Sequence, residues 1–395
     1  MTSWDHNLQR LLKEAAVPGA ALAVIRSGRL ERLSSHGVRG IPSAAPVDQN
    51  TIFEAASLSK PVFAYIALQL LDQGKLELDA RLGDCLPNYI ATDARSSSIT
   101  VRHVLSHSSG LPNWRNSDYP LRTYFEPGER FSYSGEGFLY LQRAVEAITG
   151  EELDVLARRL VFEPLAMSRS SFVWRPDFLE NCAYPHDAFG TPALMYKPGV
   201  ANVAWSLQTC APDYAKFLLA VMEGSRLSSA TARLWLEPAI EVRHKGAQSL
   251  EPGTADVTTG VAWGLGWGLE PGAGTFFHWG DNGPFTAFTI GSRAHQAALV
   301  FFANGASGLS VLPDIVAQLA PGEHPSLKWL DRSWHDAPVR RLLRAVLARG
   351  VEAAWPEIEK AALPVDQVLW IAQGLNAKGR VEESAWLRTR ADPKG

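Results

Sequence analysis

The sequence predicts an α/β (α+β) fold in which an antiparallel sheet is flanked by helices, a mostly helical lobe is inserted, and a helical appendage follows. Strand-like runs occur at residues 20–37 and then after residue 255, so the two ends must build one antiparallel sheet. The segment between them is rich in helix signals separated by Pro- and Gly-rich connections. No strand signal remains after residues 321–325.

These observations divide the chain of 395 residues into three parts. Residues 1–85 and 255–320 form the sheet-containing lobe, residues 86–254 the helical lobe, and residues 326–395 the appendage. The length exceeds the usual single-domain size of roughly 100–200 residues. A hydrophobic content of 46% is ample for a sizeable core.

The strands of the sheet lobe are predicted from β-branched and aromatic runs bounded by turn residues. An early hairpin turns at Ser27-Gly28. Four later runs form a meander, at residues 261–269, 275–280, 285–292 and 297–304. The middle run carries His278, and alternation places His278 and Gly280 on one face, with Trp279 on the other.

Helices are predicted from capping signals and apolar spacing. One begins at Ser57, where Ser57 and Ser59 both suit an N-cap, has Pro61 in its first turn, and ends at Gly74. It is apolar almost all round and should be buried. Further helices are predicted at residues 101–106, 135–149, 153–160, 212–223 and from 339 to about 387.

The appendage contains one run, residues 375–383, that faintly resembles a tetratricopeptide-type helical hairpin. One partial unit cannot make a solenoid, because roughly three repeats are needed to bury a continuous core. We expect this part to be a helical appendage that serves in homodimer formation.

Ser57-Leu58-Ser59-Lys60 is the single Ser-x-x-Lys of the sequence. A hydroxyl is a poor nucleophile unless a base lies beside it, and a residue three positions later on a helix lies on the same face. This spacing predicts that Lys60 assists Ser57. In the alternative interpretation, Ser57 merely caps the helix and the Lys60 side chain reaches solvent.

Two further motifs follow in order. Tyr133-Ser134-Gly135 lies on a loop that enters a helix, so the Tyr133 phenol can point into a cleft, where a nearby cation such as Lys60 would lower its pKa until it serves as a base. His278-Trp279-Gly280 lies on a strand, where Gly280 lets a substrate approach the backbone. Taken singly, each motif also fits a structural role.

Together the motifs resemble the β-lactamase-related serine hydrolases, which include class C β-lactamases, D-stereospecific peptidases and amidases, and family VIII carboxylesterases. The resemblance covers roughly residues 8–315. It is carried by four ordered blocks: Phe53-Glu54-Ala55-Ala56-Ser57-Leu58-Ser59-Lys60, His103-Val104-Leu105-Ser106-His107-Ser108-Ser109-Gly110-Leu111, Tyr133-Ser134-Gly135 and His278-Trp279-Gly280.

The resemblance implies a two-lobed plan with the cleft at the junction, and an acyl-enzyme mechanism. Ser57 would attack a carbonyl, Lys60 and Tyr133 would share the proton transfers, and His278 would stand where the family has Lys or His. The backbone N–H groups of Ser57 and Asp281 would hold the oxyanion. Gly280 and Gly135 would border the substrate.

The implied substrate is a small ester, amide or lactam, with no cofactor and no metal. The implied function is a carboxylesterase- or amidase-like serine hydrolase, with weak β-lactamase activity as a variant. An acyltransferase of the same fold and a non-catalytic penicillin-binding or sensor protein remain as alternatives.

One departure from the family pattern concerns the second motif, which usually reads Tyr-x-Asn. Here Gly135 occupies the third position, so no side-chain amide is available there to hold a substrate amide. This favours a plain ester or an unusual amide. Glu136 and Asn282 are candidates to substitute in part for the missing amide.

Other site types have less support. His103 and His107 have the i, i+4 spacing of metal ligands, but no Glu follows His103 in the zinc-protease pattern. No Rossmann or Walker motif occurs, and the Gly-rich segment at residues 264–268 is expected to allow close sheet packing. A net charge of −3 with scattered cations argues against a nucleic-acid partner.

The sequence also predicts a cytoplasmic location. Residues 1–16 are polar and amphipathic, unlike a signal peptide, and no window approaches a membrane span. Three widely spaced cysteines fit reduced buried thiols: Cys85, Cys182 and Cys210. Several of the thirteen tryptophans are candidates to line an apolar acyl pocket: Trp114, Trp205, Trp263, Trp267 and Trp279.

Overall fold

The computed structural model describes residues 3–41, 44–87, 89–90, 93–251, 253, 256–330 and 332–391. Residues 254 and 255, at which we divided the first two lobes, lie outside this part, as do Met1 and Thr2 of the N-terminal stretch. The lobe boundaries therefore stay a prediction.

Ten strands occur in the described residues. Their bounds are β1 (Gly19–Arg26), β2 (Arg29–Gly37), β3 (Phe53–Glu54), β4 (Gln208–Thr209), β5 (Ile240–Glu241), β6 (Ala262–Trp263), β7 (Gly268–Glu270), β8 (Thr275–Asp281), β9 (Thr286–Ser292) and β10 (Ala297–Ala303). Eight of them form one antiparallel sheet in the order β2-β1-β10-β9-β8-β7-β6-β5, and β3 pairs with β4.

The pairing of β1 with β10 joins the two ends of the sheet lobe, as the sequence predicts. Two strand predictions are wrong. The run at residues 261–269 is not one strand, because residues 264–267 leave the sheet; a Cβ on Gly266 would lie 2.4 Å from the Cβ of Ala64, so this turn packs against a helix. In addition, β3, β4 and β5 all precede residue 255.

Fourteen α-helices occur in the same part of the chain. They are α1 (Ser3–Glu14), α2 (Ser59–Asp72), α3 (Leu82–Cys85), α4 (Val101–Leu105), α5 (Gly135–Thr149), α6 (Leu153–Ala157), α7 (Ala211–Glu223), α8 (Ser229–Leu234), α9 (Leu312–Leu319), α10 (Pro325–Leu330), α11 (Pro338–Arg349), α12 (Val351–Ala361), α13 (Val365–Ala377) and α14 (Val381–Ala391). Shorter turns occur at Ala56–Leu58, Ala94–Ser98, Arg158–Phe162, Pro176–Asn181 and Gly308–Val311.

The predicted helices agree closely with these bounds. Gly150 ends α5 with φ +71°, and Gly74 follows α2 with φ +67°, both in the left-handed region that ends helices. The helix predicted at residues 153–160 instead passes from α6 into a wider π turn.

The two faces of the sheet pack into separate apolar clusters. Alternate residues of β1 divide between them: Ala21, Ala23 and Ile25 face the cluster that contains α2, whereas Leu22 and Val24 face the cluster that contains α1 and α9. Helix α2 is buried over residues 59–70, as its apolar sequence predicts. The sheet and α2 thus form a rigid support for the segment that joins them.

The appendage comprises α11 to α14 and has an apolar cluster of its own, into which Phe189 of the preceding lobe inserts. The predicted helices are confirmed, and α13 and α14 form a helical hairpin at residues 378–380. Its use in homodimer formation stays a prediction.

Candidate active site

A strained turn presents Ser57. After β3, the N–H of Ala55 donates to the carbonyl of Leu207 at 2.8 Å, and Ala56 takes a φ of +49°. A left-handed conformation costs an alanine energy and occurs often at functional sites. The turn leaves Ser57 half-buried just before α2 begins.

The prediction that a serine caps this helix is wrong. Leu58 is the N-cap of α2 and makes no side-chain capping bond. The hydroxyl of Ser59 instead donates to the carbonyl of Ala56 at 2.6 Å and accepts from the N–H of Leu207 at 3.0 Å. Through these two hydrogen bonds Ser59 links the strained turn to the loop that carries Ala204.

Lys60 lies against Ser57. Its Nζ is 3.1 Å from Ser57 Oγ and donates to the carbonyl of Ala204 at 2.8 Å. The side chain is 1% exposed, so the alternative in which Lys60 reaches solvent is wrong. Burial holds the pKa of Lys60 well below its usual range, because the ammonium loses its hydration. A neutral amine beside a serine hydroxyl can accept its proton.

Tyr133 packs over this amine. Lys60 Nζ lies 4.8 Å from the centre of the phenol ring, and the hydroxyl is buried without a well-formed hydrogen bond to any described residue. Burial raises the pKa of Tyr133, and the neighbouring Ser57 offsets only part of this rise. The prediction that a cation lowers this pKa is therefore wrong, because desolvation of the buried phenolate raises the pKa. Tyr133 is a protonated phenol at neutral pH.

His278 is fully buried behind the tyrosine, with 6.0 Å between the two ring centres. Its Nδ1 lies 2.8 Å from the carbonyl of Trp279, which we assign as an Nδ1–H donor. Burial and the charge of Lys60 lower the pKa of His278 to about 3, despite that hydrogen bond. The imidazole is consequently neutral and contributes no positive charge to the site.

His107 belongs to the same cluster, a role that the sequence did not indicate. Its ring stacks on Tyr133 with 4.1 Å between ring centres, and its Nδ1 accepts from the N–H of Ser134 at 3.0 Å. His103 instead lies in the capping box of α4 with Thr100. The two histidines thus have separate partners, and no group of three potential metal-binding side chains occurs in the described residues. His107 fixes the plane of the Tyr133 ring.

The end of β8 abuts the turn that carries Ser57. A Cβ on Gly280 would lie 2.5 Å from the carbonyl oxygen of Ala55, so glycine is needed for the contact between strand and turn. The predicted approach of a substrate to the Gly280 backbone stays a prediction. Asp281 follows, and its carboxylate accepts from the Gly283 N–H at 3.0 Å and pairs with Arg332 at 2.7 Å.

The space beside Gly135 is filled by Asn113. Asn113 Oδ1 accepts from the Gly135 N–H at 3.0 Å, and a Cβ on Gly135 would lie 2.8 Å from the Asn113 carbonyl oxygen. Asn113 therefore brings a side-chain amide to the second motif, which the sequence did not indicate. The two suggested substitutes are otherwise engaged, because Glu136 pairs with Arg115 and Asn282 donates to Glu54.

The aromatic candidates separate into core and surface. Trp263 and Trp267 are fully buried and Trp279 is 5% exposed, so all three pack in the core. Trp114 is exposed beside Gly135, and Trp205 is half-buried.

Among the cysteines, Cys182 and Cys210 are buried thiols as expected, but Cys85 is exposed.

Glu54 gives the site a pH-dependent contact. Burial raises the pKa of this carboxyl to about 7, partly offset by the hydrogen bond from Asn282. Asn282 Nδ2 also lies 3.4 Å from the carbonyl of Trp205. The Glu54–Asn282 pair therefore links β3, the end of β8 and the loop after Ala204.

We expect Glu54→Gln to flatten the pH dependence of stability. The folded pKa lies above the ordinary value, so the folded state binds the extra proton and the wild-type free energy of unfolding falls as pH rises from about 4.5 to about 7. The loss should reach at most about 3 kcal/mol, to be measured by urea unfolding at pH 5 and pH 8. The exposed Glu77→Gln is the control, and parallel curves for wild type and Glu54→Gln would contradict the assignment.

Half-buried Ser57 thus lies in one cluster with the buried side chains of Lys60 and Tyr133, and His278 and His107 lie behind the tyrosine. A comparison with protein families finds that residues 4–320 match the model described as Beta-lactamase. The chain belongs to the Beta-lactamase family. The matched residues end before the appendage. The fold of the chain, an antiparallel sheet with many helices, is that of the β-lactamase-related serine hydrolase superfamily.

Curated members of the superfamily resemble the chain at low identity. Penicillin-binding protein 4 of Amycolatopsis lactamdurans is 27% identical over 340 residues, which cover 80% of this chain and 88% of that protein. Esterase EstB of Burkholderia gladioli is 28% identical over 224 residues, which cover 48% of this chain and 56% of EstB. Such relatives support a serine hydrolase-like function at the level of the family.

Solved structures share the fold. The octameric penicillin-binding protein homologue of Pyrococcus abyssi matches with a TM-score of 0.68 and 20% identity, covering 87% of this chain and 81% of that one. EstCE1, a hydrolase with promiscuous acyltransferase activity, also gives a TM-score of 0.68 at 20% identity, covering 81% of this chain and 98% of that one.

None of the described helices combines the length and the apolar composition that crossing a bilayer requires.

Proposed function

We propose that this member of the Beta-lactamase family is a serine hydrolase that forms an acyl-enzyme on Ser57 and acts on small esters with an apolar acyl group. The observation that supports it most directly is the buried Lys60 amine, 3.1 Å from the Ser57 hydroxyl. Because burial lowers the pKa of Lys60, the amine can take the hydroxyl proton without a carboxylate or an imidazole as the base.

Acylation begins when Lys60 Nζ accepts the proton of Ser57 and Oγ attacks the ester carbonyl. The negative charge that develops on the carbonyl oxygen is held by backbone N–H groups, for which the family pattern implies those of Ser57 and Asp281. The leaving alcohol receives a proton from the Lys60 ammonium, with the Tyr133 phenol as the neighbouring donor. Water then attacks the acyl-serine and gives its proton to the Lys60 amine. The bond between Ser57 Oγ and the carbonyl carbon breaks, the Lys60 ammonium returns the proton to Oγ, and the carboxylic acid leaves.

The loop whose Ala204 carbonyl accepts from Lys60 offers an apolar surface for the acyl group. On this loop Leu194 and Tyr196 are 93% and 61% exposed, and the Tyr196 ring lies 5.4 Å from that of Trp205. Exposed apolar side chains grouped in this way often mark a binding surface. An ester has no N–H for the second motif to hold, so it depends less than a peptide does on the amide that Asn113 brings there.

A penicillin-binding function is the second candidate, because the similarity to penicillin-binding protein 4 extends over most of the chain. A lactam would then acylate Ser57 and remain attached. Initial rates with p-nitrophenyl acetate, butyrate and octanoate, beside a chromogenic cephalosporin, separate the two functions. We expect ester turnover that rises with acyl length, whereas a stable lactam adduct without ester turnover would contradict the proposal.

Tyr133→Phe should lower kcat for ethyl butyrate, whose leaving alcohol needs a proton, by about 100-fold or more, since a general acid–base group typically contributes that much. The phenylalanine keeps the ring that stacks on His107 and covers Lys60. The ring contacts and the melting temperature should therefore persist while the rate falls. Tyr124→Phe, on a half-buried tyrosine whose hydroxyl donates to the Pro120 carbonyl, is the control. If Tyr133→Phe keeps a rate within a few-fold of wild type, the phenol takes no part in the proton transfer.

Asn113→Ala should lower kcat/KM for anilides and lactams more than for esters, by about tenfold in the ratio, as expected for one lost hydrogen bond to a substrate amide. If Asn113 acted only by supporting the Gly135 N–H, its loss would lower kcat/KM for esters, anilides and lactams by the same factor. Asn116→Ala in the same loop is the control. An unchanged amide-to-ester ratio would show that Asn113 only supports Gly135.

A further inference from the structure

A cavity of about 430 Å³ lies between the body of the protein and the appendage. One wall is the end of α1 with the end of β2, and the opposite wall is formed by α11 and α13. Its lining shares no residue with the cluster of Ser57, Lys60, Tyr133 and His278. It is thus a separate site, in the size range of small-molecule pockets.

Positive charge dominates the lining. Four cationic side chains contribute to it, Lys13, Arg340, Arg344 and Lys378, against the single carboxylate of Glu14 among the described lining residues. That carboxylate is already engaged, because it accepts from Arg10 at 2.8 Å and lies 3.0 Å from His335 Nε2. His36 also lines the cavity, and burial lowers its pKa, so it is neutral.

The two guanidinium groups have neutral partners. Arg340 donates to the carbonyl of Ser333 at 2.7 Å and to Ser307 Oγ at 3.0 Å, and Arg344 donates to the carbonyl of His335 at 2.9 Å. Neither forms an ion pair within the described part of the chain. The residues lie one turn apart on α11, so their charges repel each other.

This arrangement is costly without an anion. Burial and the charge of Arg344 lower the pKa of Arg340 to about 10, which still leaves it charged at neutral pH. Burial lowers the pKa of Arg344 overall, although the charges of Glu14 and Asp336 raise it in part. No carboxylate of the described residues acts on the pKa of Arg340, whose guanidinium lies 5.3 Å from the centre of the Trp370 ring. A half-buried cation that lacks an anionic partner loses hydration without full electrostatic compensation. A carboxylate offers the planar, two-oxygen geometry that a guanidinium binds best.

Apart from Gln9, the other side chains of the lining are apolar. Trp370 and Phe189 lie with 5.1 Å between their ring centres, and Leu343 and Leu347 line the same wall. A free inorganic anion would leave these surfaces uncovered. A ligand with an apolar body and one carboxylate matches both parts.

We propose that this cavity binds a small organic acid, with its carboxylate on Arg340 and Arg344 and its apolar body against Trp370 and Phe189. Such a ligand contacts α1 and the appendage together. Its binding therefore stabilises the contact between the appendage and the body, and raises the melting temperature as ligand concentration rises.

Calorimetric titration with octanoate tests the proposal, with octanamide as the uncharged isostere. We expect octanoate to bind with one site per chain and octanamide to bind at least about tenfold more weakly, as the loss of a charge-assisted contact implies. Arg344→Gln should weaken octanoate binding by a similar factor. Arg341→Gln, on the same helix but exposed and outside the lining, should leave it unchanged.

Octanoate is also the acid that the proposed esterase would release, so binding at Ser57 must be distinguished. Such binding would persist in Arg344→Gln, and that result would overturn the proposal. Equal binding of octanamide, or no binding at millimolar octanoate, would overturn it as well. If Arg344→Gln does not fold, Lys13→Glu, on an exposed lysine of α1, replaces it, with the exposed Lys75→Glu as control.

Discussion

Replacing Ser57 with alanine should abolish ester hydrolysis, with kcat falling by about 10,000-fold or more, as expected when a nucleophile is removed. The side chain is half-buried and lies 3.1 Å from Lys60 Nζ, so its loss removes the attacking atom without opening a large cavity. The melting temperature should stay close to that of wild type. Initial rates with p-nitrophenyl butyrate and thermal unfolding measure the two effects.

The matched control for this substitution is Ser98→Ala, which removes an exposed hydroxyl far along the chain from the motif. It should hydrolyse the ester at the wild-type rate. If Ser57→Ala also retains that rate, another residue is the nucleophile and the proposed acyl-serine mechanism is wrong.

Lys60→Met should lower kcat by about 1,000-fold or more, within the range for loss of a general base. Methionine keeps an unbranched chain in the buried position but cannot accept the Ser57 proton. In wild type, kcat/KM should rise with pH as the Lys60 amine loses its proton, and this rise should lie below the ordinary lysine range because burial lowers the pKa. Lys60→Met should lose this part of the pH profile.

The same substitution should stabilise the protein. A lysine whose folded pKa is depressed binds fewer protons in the folded state, so wild-type stability rises with pH up to the ordinary lysine value of about 10.4. At neutral pH the melting temperature of Lys60→Met should therefore exceed that of wild type. The control Lys75→Met, at an exposed lysine, should change neither the melting temperature nor kcat. A variant that is both active and less stable than wild type would contradict the role of Lys60 as a buried base.

Local signals made much of this protein predictable from its sequence. The start and end of α5 follow from the Ser134 cap and Gly150, which act within one turn. The spacing of Ser57 and Lys60 likewise specifies a contact across one helical turn, and the structure brings the two side chains together. The joining of β1 with β10 follows from having strands at both ends of the lobe.

The degree of burial of a side chain and its contacts with residues distant in sequence could not be predicted from such local signals. The direction of the Tyr133 pKa was mistaken, because the degree of desolvation depends on residues more than a hundred positions away, such as Trp263 and Trp279. Asn113 and His107 lie in other motifs or loops, and their places beside Gly135 and Tyr133 depend on how the chain folds back. Periodicity gives no information on such contacts.

The central claim is that Ser57 carries the acyl group, and mass spectrometry of the acid-quenched protein and of its peptides tests it most directly. Wild type is mixed with p-nitrophenyl butyrate, quenched in acid during turnover, and digested to locate the added mass. We expect one butyryl group on the peptide that contains Ser57, which disappears once the ester is consumed. Release of p-nitrophenol without an adduct on that peptide, or with the adduct on another residue, would contradict the account.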